Sequence, residues 1–527
     1  MQVISNYMRK LLTIALAITA IFTVSAQPRV AVNIVVSGMR AADIDRYAVN
    51  FSNDGILRLK YGGTLFTECY TDFIPSASEV ALATLATGSL PSMHGISSSN
   101  WFDRTSGNTP VSLCKNAKGG YTTEHFTTPT LAQTLKSADS NAMVTTIAHN
   151  YNSAMTLAGK AGECYWIDDL GNWATAQCYA PQLPEWVTLL NESGTNRSYA
   201  TGNWFGKIAK SKYLNKHSTD IKIYDIYGKA LSMFNKKPAD EWVDELKCTP
   251  GGNKALFDFA KSAISEMMKD TKNHSSRMVN ICLDVPRAVA EKYGPDSTEY
   301  EDMLYYLDAE LADFLKFIDS LFTGSKSYLI TLTSDHGMGN RYDEENTNQD
   351  IFNPQQTAAI LNAFLSAQHG QGKWVLECGN GSIYLNRDLI YSKKLSVAQI
   401  QNEAATFALQ FRGVANAATA TALQGGAMSS NTSRLMQNTF HPRRSGDIIY
   451  CLQPNFYELT EGKVASSGSP YNYDRHIPLI FYGSGIDADI IDRTINSSAI
   501  AVTTAYLLGI SRPDCADGEL IYELKKR

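Results

Sequence analysis

Short apolar, β-branched runs that alternate with helical periodicity leave this chain few folds to choose from. Val30-Ala31-Val32-Asn33-Ile34-Val35-Val36, Met278 to Leu283 and Tyr328 to Leu332 each read as a strand buried on both faces of a parallel sheet. Leu304, Leu307, Leu311, Leu315 and Ile318 recur every three or four residues and predict an amphipathic helix just before the strand at Tyr328. The alternation predicts an α/β fold with a doubly wound, mostly parallel sheet flanked by helices. Ligands of such sheets bind beyond the carboxyl ends of the strands. Two stretches break the pattern. Residues 161–244 are rich in tryptophan (Trp166, Trp173, Trp186, Trp204), and residues 346–439 are rich in Ala, Gln, Asn and Thr. Both read as insertions decorating one core, whose parts are 27–160, 245–345 and 440–527.

Residues 1–26 read as a cleavable signal peptide, because Arg9-Lys10 precedes the apolar run Leu11 to Val24 and the small-residue ending Val24-Ser25-Ala26. No Cys follows Ala26 directly, and no later run is long and apolar enough to span a membrane. The expectation is an exported protein, periplasmic or extracellular, with no membrane anchor after cleavage. An oxidising compartment permits disulfides, and Cys164 and Cys178, which bracket a hairpin-like stretch, are the local pair expected. Nine Cys is an odd number, so at least one thiol stays free or pairs between chains. A net charge of −5 offers nucleic acid no basic footprint. With 44% hydrophobic and 19% charged residues, disordered, collagen-like and coiled-coil classes are excluded.

Chemistry is expected at the strand ends. Asp335-His336, directly after the strand that begins at Tyr328, could place a carboxylate and an imidazole on one cation. The plainer alternative is that Asp335 caps a turn and His336 bonds to backbone. A second constellation runs from Pro75 through Ser76, Ser78 and Glu79 into the helical stretch Ala81 to Ala86 and the turn Thr87 to Ile96. A hydroxyl at a helix start sits beside free amides and the positive end of the macrodipole, which suits a nucleophile or a bound phosphoryl oxygen. Ser76 with Glu79 three residues on is also a capping box, which explains both residues without catalysis.

Taken in order, six segments resemble the alkaline phosphatase superfamily. They are Val35 to Arg40, Thr87 to Ile96, Asn100 to Arg104, Thr249 to Asn253, Ser334 to Gly337 and Tyr473 to Pro478. More narrowly, they are similar to the exported, phosphate-irrepressible alkaline phosphatases of the type I phosphodiesterase/nucleotide pyrophosphatase branch. The resemblance implies two zinc ions, a Thr or Ser nucleophile at a helix N-terminus and a covalent phospho-enzyme. By this resemblance Ser78 falls at the nucleophile position, Asn100 at a phosphoryl-contacting position, and Asp335 and His336 at two ligands of the inner metal. The other ligand positions are degenerate: Ser37 stands where an Asp is implied, Arg287 and Glu291 where an Asp and a His are implied, and Ser467 where a late His is implied. The implied substrate-gripping Lys and Arg correspond to Asn150 and Asn152.

Tight zinc binding needs three or four protein ligands, and an arginine fixes a positive charge where a dication belongs. The expectation is therefore a pseudo-phosphatase holding no metal, or one weakly bound divalent cation. It would retain affinity for a phosphate-like or other anionic small molecule through Ser78, Asn100, the helix amides and Arg287. The plainer role for Arg287 is a salt bridge to Glu291 or Asp335. Two alternatives stand beside this reading. One is an active phosphate-ester hydrolase with a one-metal or rearranged site and Ser78 as nucleophile. The other is a periplasmic interaction or glycan-binding module using the tryptophan-rich stretch. Of the remaining histidines, His94 and His476 are expected to bond across turns near the site rim.

Overall fold

The computed structural model describes residues 28–524, apart from 105–107, 201–203, 216–240, 271, 273, 323–326, 344–345, 347–348, 427–429 and 459. The expected signal peptide lies outside the described residues. No helix among them is long and apolar enough to cross a membrane.

A ten-stranded sheet forms the centre. Its strands are β1 (Val30–Val36), β2 (Thr64–Tyr70), β3 (Met143–Ala148), β4 (Glu163–Ile167), β5 (Trp173–Ala174), β6 (Arg277–Leu283), β7 (Tyr328–Thr333), β8 (His476–Gly483), β9 (Asp489–Ile491) and β10 (Ile495–Asn496). Across the sheet they run β9-β2-β8-β7-β1-β6-β3-β4-β5, with β10 also on β2. The block β7-β1-β6-β3-β4 is parallel, while β8 runs antiparallel to both β7 and β2. The central strands are apolar along almost their whole length because helices cover both faces. Their polar exceptions pair with each other: Asn33 Nδ2 donates to Asn280 Oδ1 at 2.8 Å, and Asn280 Nδ2 to Thr146 Oγ1 at 3.1 Å.

Five helices matter below: α1 (Ser78–Thr87), α2 (Tyr151–Ala158), α3 (Pro250–Lys269), α4 (Val285–Tyr293) and α5 (Thr298–Leu321). The periodic leucines expected before the strand at Tyr328 are buried along α5, which Ser297 caps by accepting from the Tyr300 amide at 3.1 Å. A separate four-stranded sheet is built from Val375–Gly379, Ser382–Leu385, Ile448–Leu452 and Val414–Thr419, with its own apolar cluster around Trp374, Leu361 and Ile400.

Four expectations change. The tryptophan-rich stretch does not begin as an insertion, because Glu163–Ile167 pairs parallel with β3 and continues the central sheet. Likewise the second decoration does not end at 439, since Ile448–Leu452 is the strand that joins two others of the small sheet. Trp166, Trp173 and Trp204 are buried, and Trp173 and Trp186 pack on Phe259 of α3 with ring centroids 4.1 and 4.9 Å apart. These four rings serve packing instead of forming an open platform. Finally, Cys164 and Cys178 are both free thiols: Cys164 lies buried in β4, whereas Cys178 is exposed.

Candidate functional site

Parallel register places three strand ends side by side. Val36 pairs with Leu283 and Val35 with Thr333, so Ser37, Asp284 and the Ser334-Asp335-His336 run emerge at one edge of the sheet. Gly38 has φ +79°, and a Cβ there would sit 2.9 Å from the Arg287 Cα. Glycine thus lets α4 close over the end of β1 and deliver Arg287 to Ser37.

Ser78 opens α1. The residue before it, Ala77, is extended and makes no side-chain cap, so Ser76 does not form the expected capping box; its hydroxyl is buried without a partner. The helix starts one residue later than that motif requires. Ser78 Oγ lies 3.0 Å from His336 Nε2. His336 Nδ1 is 2.6 Å from the Gly337 carbonyl oxygen, which can only accept, so Nδ1 carries a proton. In the neutral ring Nε2 then accepts from the Ser78 hydroxyl.

Asp335 is buried and heavily engaged. Its Oδ2 accepts from Ser37 Oγ at 2.7 Å, and its Oδ1 accepts from the amides of His336 (2.8 Å) and Gly38 (3.1 Å). Burial would raise the Asp335 pKa, but His336, the Ser37 bond and Arg287 outweigh that and hold it below the ordinary carboxylate value. Oδ2 also lies 3.6 Å from His336 Nε2, so the Ser37 hydroxyl is bound to the carboxylate oxygen nearest the imidazole.

Arg287 fills the outer half of the site. Its Nε donates to Ser37 Oγ at 3.2 Å, Nη2 to Asp284 Oδ1 at 3.3 Å and Nη1 to Glu291 Oε1 at 3.4 Å. Burial disfavours the charged guanidinium, yet Glu291, Asp284 and Asp335 more than offset this and keep it firmly protonated. Glu291 is also held below its ordinary pKa: burial pushes it up, while Arg287 and Lys463, whose Nζ is 2.9 Å from Oε2, pull it down further. The expected salt bridge to Glu291 is therefore present.

These residues do not fit a two-zinc centre. A dication about 4 Å from the guanidinium would be repelled by about 8 kcal/mol at an effective dielectric constant of about 20. Among the described residues, no group of three His, Cys, Asp or Glu side chains could hold a metal ion. The inner half brings Asp335, His336 and Ser78 together, but no further carboxylate or imidazole joins them.

The other expected positions scatter. Asn150 is the N-cap of α2: it accepts from the Ser153 amide at 2.9 Å and donates to Ser153 Oγ at 3.1 Å. Ser153 Oγ in turn donates to Asp284 at 2.7 Å, so Asn150 supports the ion cluster indirectly. Asn152 is half-buried in the first turn of α2. Asn100 is exposed in a short strand paired with Ser112, and its side chain donates from Nδ2 to Ser99 Oγ at 3.4 Å. Ser467 is half-buried and lines a cleft with Ala77. His94 bonds to Thr84 Oγ1 of α1 at 3.1 Å, whereas His476 reaches the Thr67 carbonyl of the neighbouring strand β2 at 2.6 Å, a bond between strands and not across a turn.

Sequence reasoning missed Asp284, His149 and Lys463 as site residues. Asp284 exchanges bonds with His149: the His149 amide donates to Asp284 Oδ2 (3.2 Å) and the Asp284 amide to His149 Nδ1 (3.1 Å). Burial pushes His149 down to about 4, so it is neutral. The available signal was position, since Asp284 follows the β6 run as Asp335 follows β7. Nothing local marks Lys463.

Comparison with known proteins agrees with this architecture. The sequence profile described as "Type I phosphodiesterase / nucleotide pyrophosphatase" matches residues 31–470. Alkaline phosphatase PafA of Elizabethkingia meningoseptica is 24% identical over 524 residues, covering 94% of each chain. Alkaline phosphatase PhoV of Synechococcus elongatus is 26% identical over 540 residues, covering 95% of this chain and 94% of its own. The crystal structure of wild-type PafA superposes with a TM-score of 0.84 at 21% identity, over 94% of this chain and 99% of that one. The fold is thus alkaline phosphatase-like.

Proposed function

We propose that this chain, which belongs to the type I phosphodiesterase / nucleotide pyrophosphatase family, is an exported pseudo-phosphatase that has replaced its outer metal with its own arginine. The observation that carries the reading is the Arg287 guanidinium, bound at once by Ser37, Asp284 and Glu291. A guanidinium neutralises carboxylates as a cation does. It offers no coordination position, so it cannot ligate a nucleophile's oxygen and lower its pKa as a bound metal ion does. Ser78 then lacks the Lewis acid that would lower its pKa. Export follows from the leader-like residues 1–26. An anionic ligand at the start of α1 belongs to the same reading, held by Ser78 and the first amides of the helix. Arg287 contributes its field, with three of its five N–H donors already given to Ser37, Asp284 and Glu291.

The test is metal content by mass spectrometry together with turnover of p-nitrophenyl phosphate. Far less than one zinc per chain and no turnover above that of Ser78→Ala is the expected result. Two zincs per chain with turnover that Ser78→Ala abolishes would refute the proposal.

One observation favours a second reading, an active hydrolase with a rearranged site: Ser78 Oγ and His336 Nε2 are within hydrogen-bond reach, as a nucleophile and its base must be. Turnover that survives chelation and falls in both Ser78→Ala and His336→Gln would support it.

A further inference from the structure

Asn33 and Asn280 pair in register at the centre of the sheet, in β1 and β6. Asn33 is the one residue of β1 that is not buried, although the strand lies between two layers of helices. What it faces is a cavity of about 30 Å³ between the sheet and the helices above it. Buried apolar side chains wall this cavity: Leu85 and Ala86 from the last turn of α1, Leu157 of α2, Leu131 of the helix Leu131–Ala138 and Ile500 of the helix Ala499–Leu507. The asparagine pair lies on the sheet side, beside Thr331 and Thr333 of β7.

The hydrogen bonds of the pair do not use up its capacity. Asn33 Nδ2 donates to Asn280 Oδ1 at 2.8 Å, and Asn280 Nδ2 donates to Thr146 Oγ1 of β3 at 3.1 Å. A side-chain amide carries two N–H donors and a carbonyl acceptor. Among the described residues, one N–H of each asparagine is therefore left over, and Asn33 Oδ1 accepts from no donor. The Thr333 hydroxyl is spent on the Pro478 carbonyl at 2.8 Å, and those of Thr331 and Thr504 are covered by their neighbours. Asn33 Oδ1 is not covered in this way. A polar group in a core is costly unless something bonds to it. We propose that this cavity is a binding site for ordered water, which donates to Asn33 Oδ1 and accepts from the spare N–H groups of the asparagine pair.

Size and chemistry select this occupant. The cavity volume is close to the share of liquid that one water takes, about 30 Å³, and a buried water needs two to four polar partners, which the pair supplies. No charged side chain lines the cavity, so an ion would find no counter-charge there. A sugar or a phosphate ester is too large. The bound water would complete a polar seam that runs from β1 through β6 to β3 directly beneath α1, the helix that opens on Ser78. The inference stands independently of whether Ser78 turns over phosphate esters.

High-resolution crystallography of the protein tests it, with a second crystal pressurised with xenon, which enters dry apolar cavities. The expected result is an isolated density peak within hydrogen-bond distance of Asn33 Oδ1 and no xenon at that place. Absence of the peak, or xenon in the cavity of the unaltered protein, would overturn the proposal. The double variant Asn33→Val/Asn280→Val removes the donors and acceptors of the pair, so it should lose the peak and admit xenon. A peak that persists in this variant would equally overturn the proposal, because the asparagines would not be what holds the water. The unaltered crystals decide the matter even if the variant fails to fold.

Discussion

The two halves of the site balance their buried groups in different ways. In the outer half a resident cation does so: Arg287 ties Ser37, Asp284 and Glu291 together, and Lys463 closes the cluster from the solvent side. The inner half relies on hydrogen bonds. Asp335, His336 and Ser78 keep their places by hydrogen bonding to one another and to the backbone, with Ser37 plugging the free carboxylate oxygen. The outer half is thus held by charge pairing and the inner half by short hydrogen bonds around one carboxylate. A buried carboxylate without a cation beside it is costly, and the half with two carboxylates, Asp284 and Glu291, is the one that carries the arginine.

The sharpest way to break this contrast is Arg287→Ala. It strands Asp284 and Glu291 without their common partner and should cost about 3–5 kcal/mol of stability in urea denaturation. The same loss from Lys463→Ala should remain below about 1 kcal/mol, because its ammonium is partly exposed to solvent. Between these lies Ser37→Asp, which sets a second carboxylate against Asp335. It should destabilise the metal-free protein by about 1–3 kcal/mol, and millimolar zinc should recover part of that in a thermal melt. If zinc leaves the melting temperature of Ser37→Asp unchanged, the inner half has lost more than its carboxylate. Ser78→Ala removes one hydrogen bond and should cost about 1 kcal/mol, with no change in phosphate-ester turnover.

The pH dependence separates the halves in another way. Glu291 and Asp335 have folded pKa values below their ordinary ones, so both contribute stability above the usual carboxylate range and lose it as pH falls through their folded values. Urea midpoints measured between pH 6 and pH 3 should therefore fall on acidification. In Arg287→Ala the fall should flatten, and more for Glu291 than for Asp335, since His336 and Ser37 still hold the latter. An unchanged slope in that variant would show that Arg287 does not set the charge state of the cluster.

Much of the fold was legible. The runs at Val30, Met278 and Tyr328 and the leucine stripe of α5 appear where periodicity puts them, because a strand buried on both faces and a one-faced helix leave different patterns. The boundaries of the decorations were not legible. Glu163–Ile167 is a core strand within a tryptophan-rich stretch, and composition does not reveal which neighbour a strand will pair with. The capping box at Ser76 matched by spacing and failed because the backbone at Ala77, not Ser76, turns into the helix. The cysteines matched by proximity in sequence, yet the structure leaves Cys164 buried in a strand and Cys178 exposed.

By itself the sequence determined which functional groups Ser37, Arg287, Glu291 and Ser467 bring to the four positions that the resemblance marks as ligands, because a residue's capacity to bind zinc is a property of its own functional group. Only the tertiary structure decided what those residues do instead. The bonds from Arg287 to Ser37 and from Ser37 to Asp335 join residues some 250 and 298 positions apart. Their partners are chosen by the register of three adjacent strands and by the close approach of α4 over Gly38. The recruitment of Asp284 has the same origin. Distance along the chain carries no information about such contacts, and the parallel sheet supplies it by ending β1, β6 and β7 at one edge.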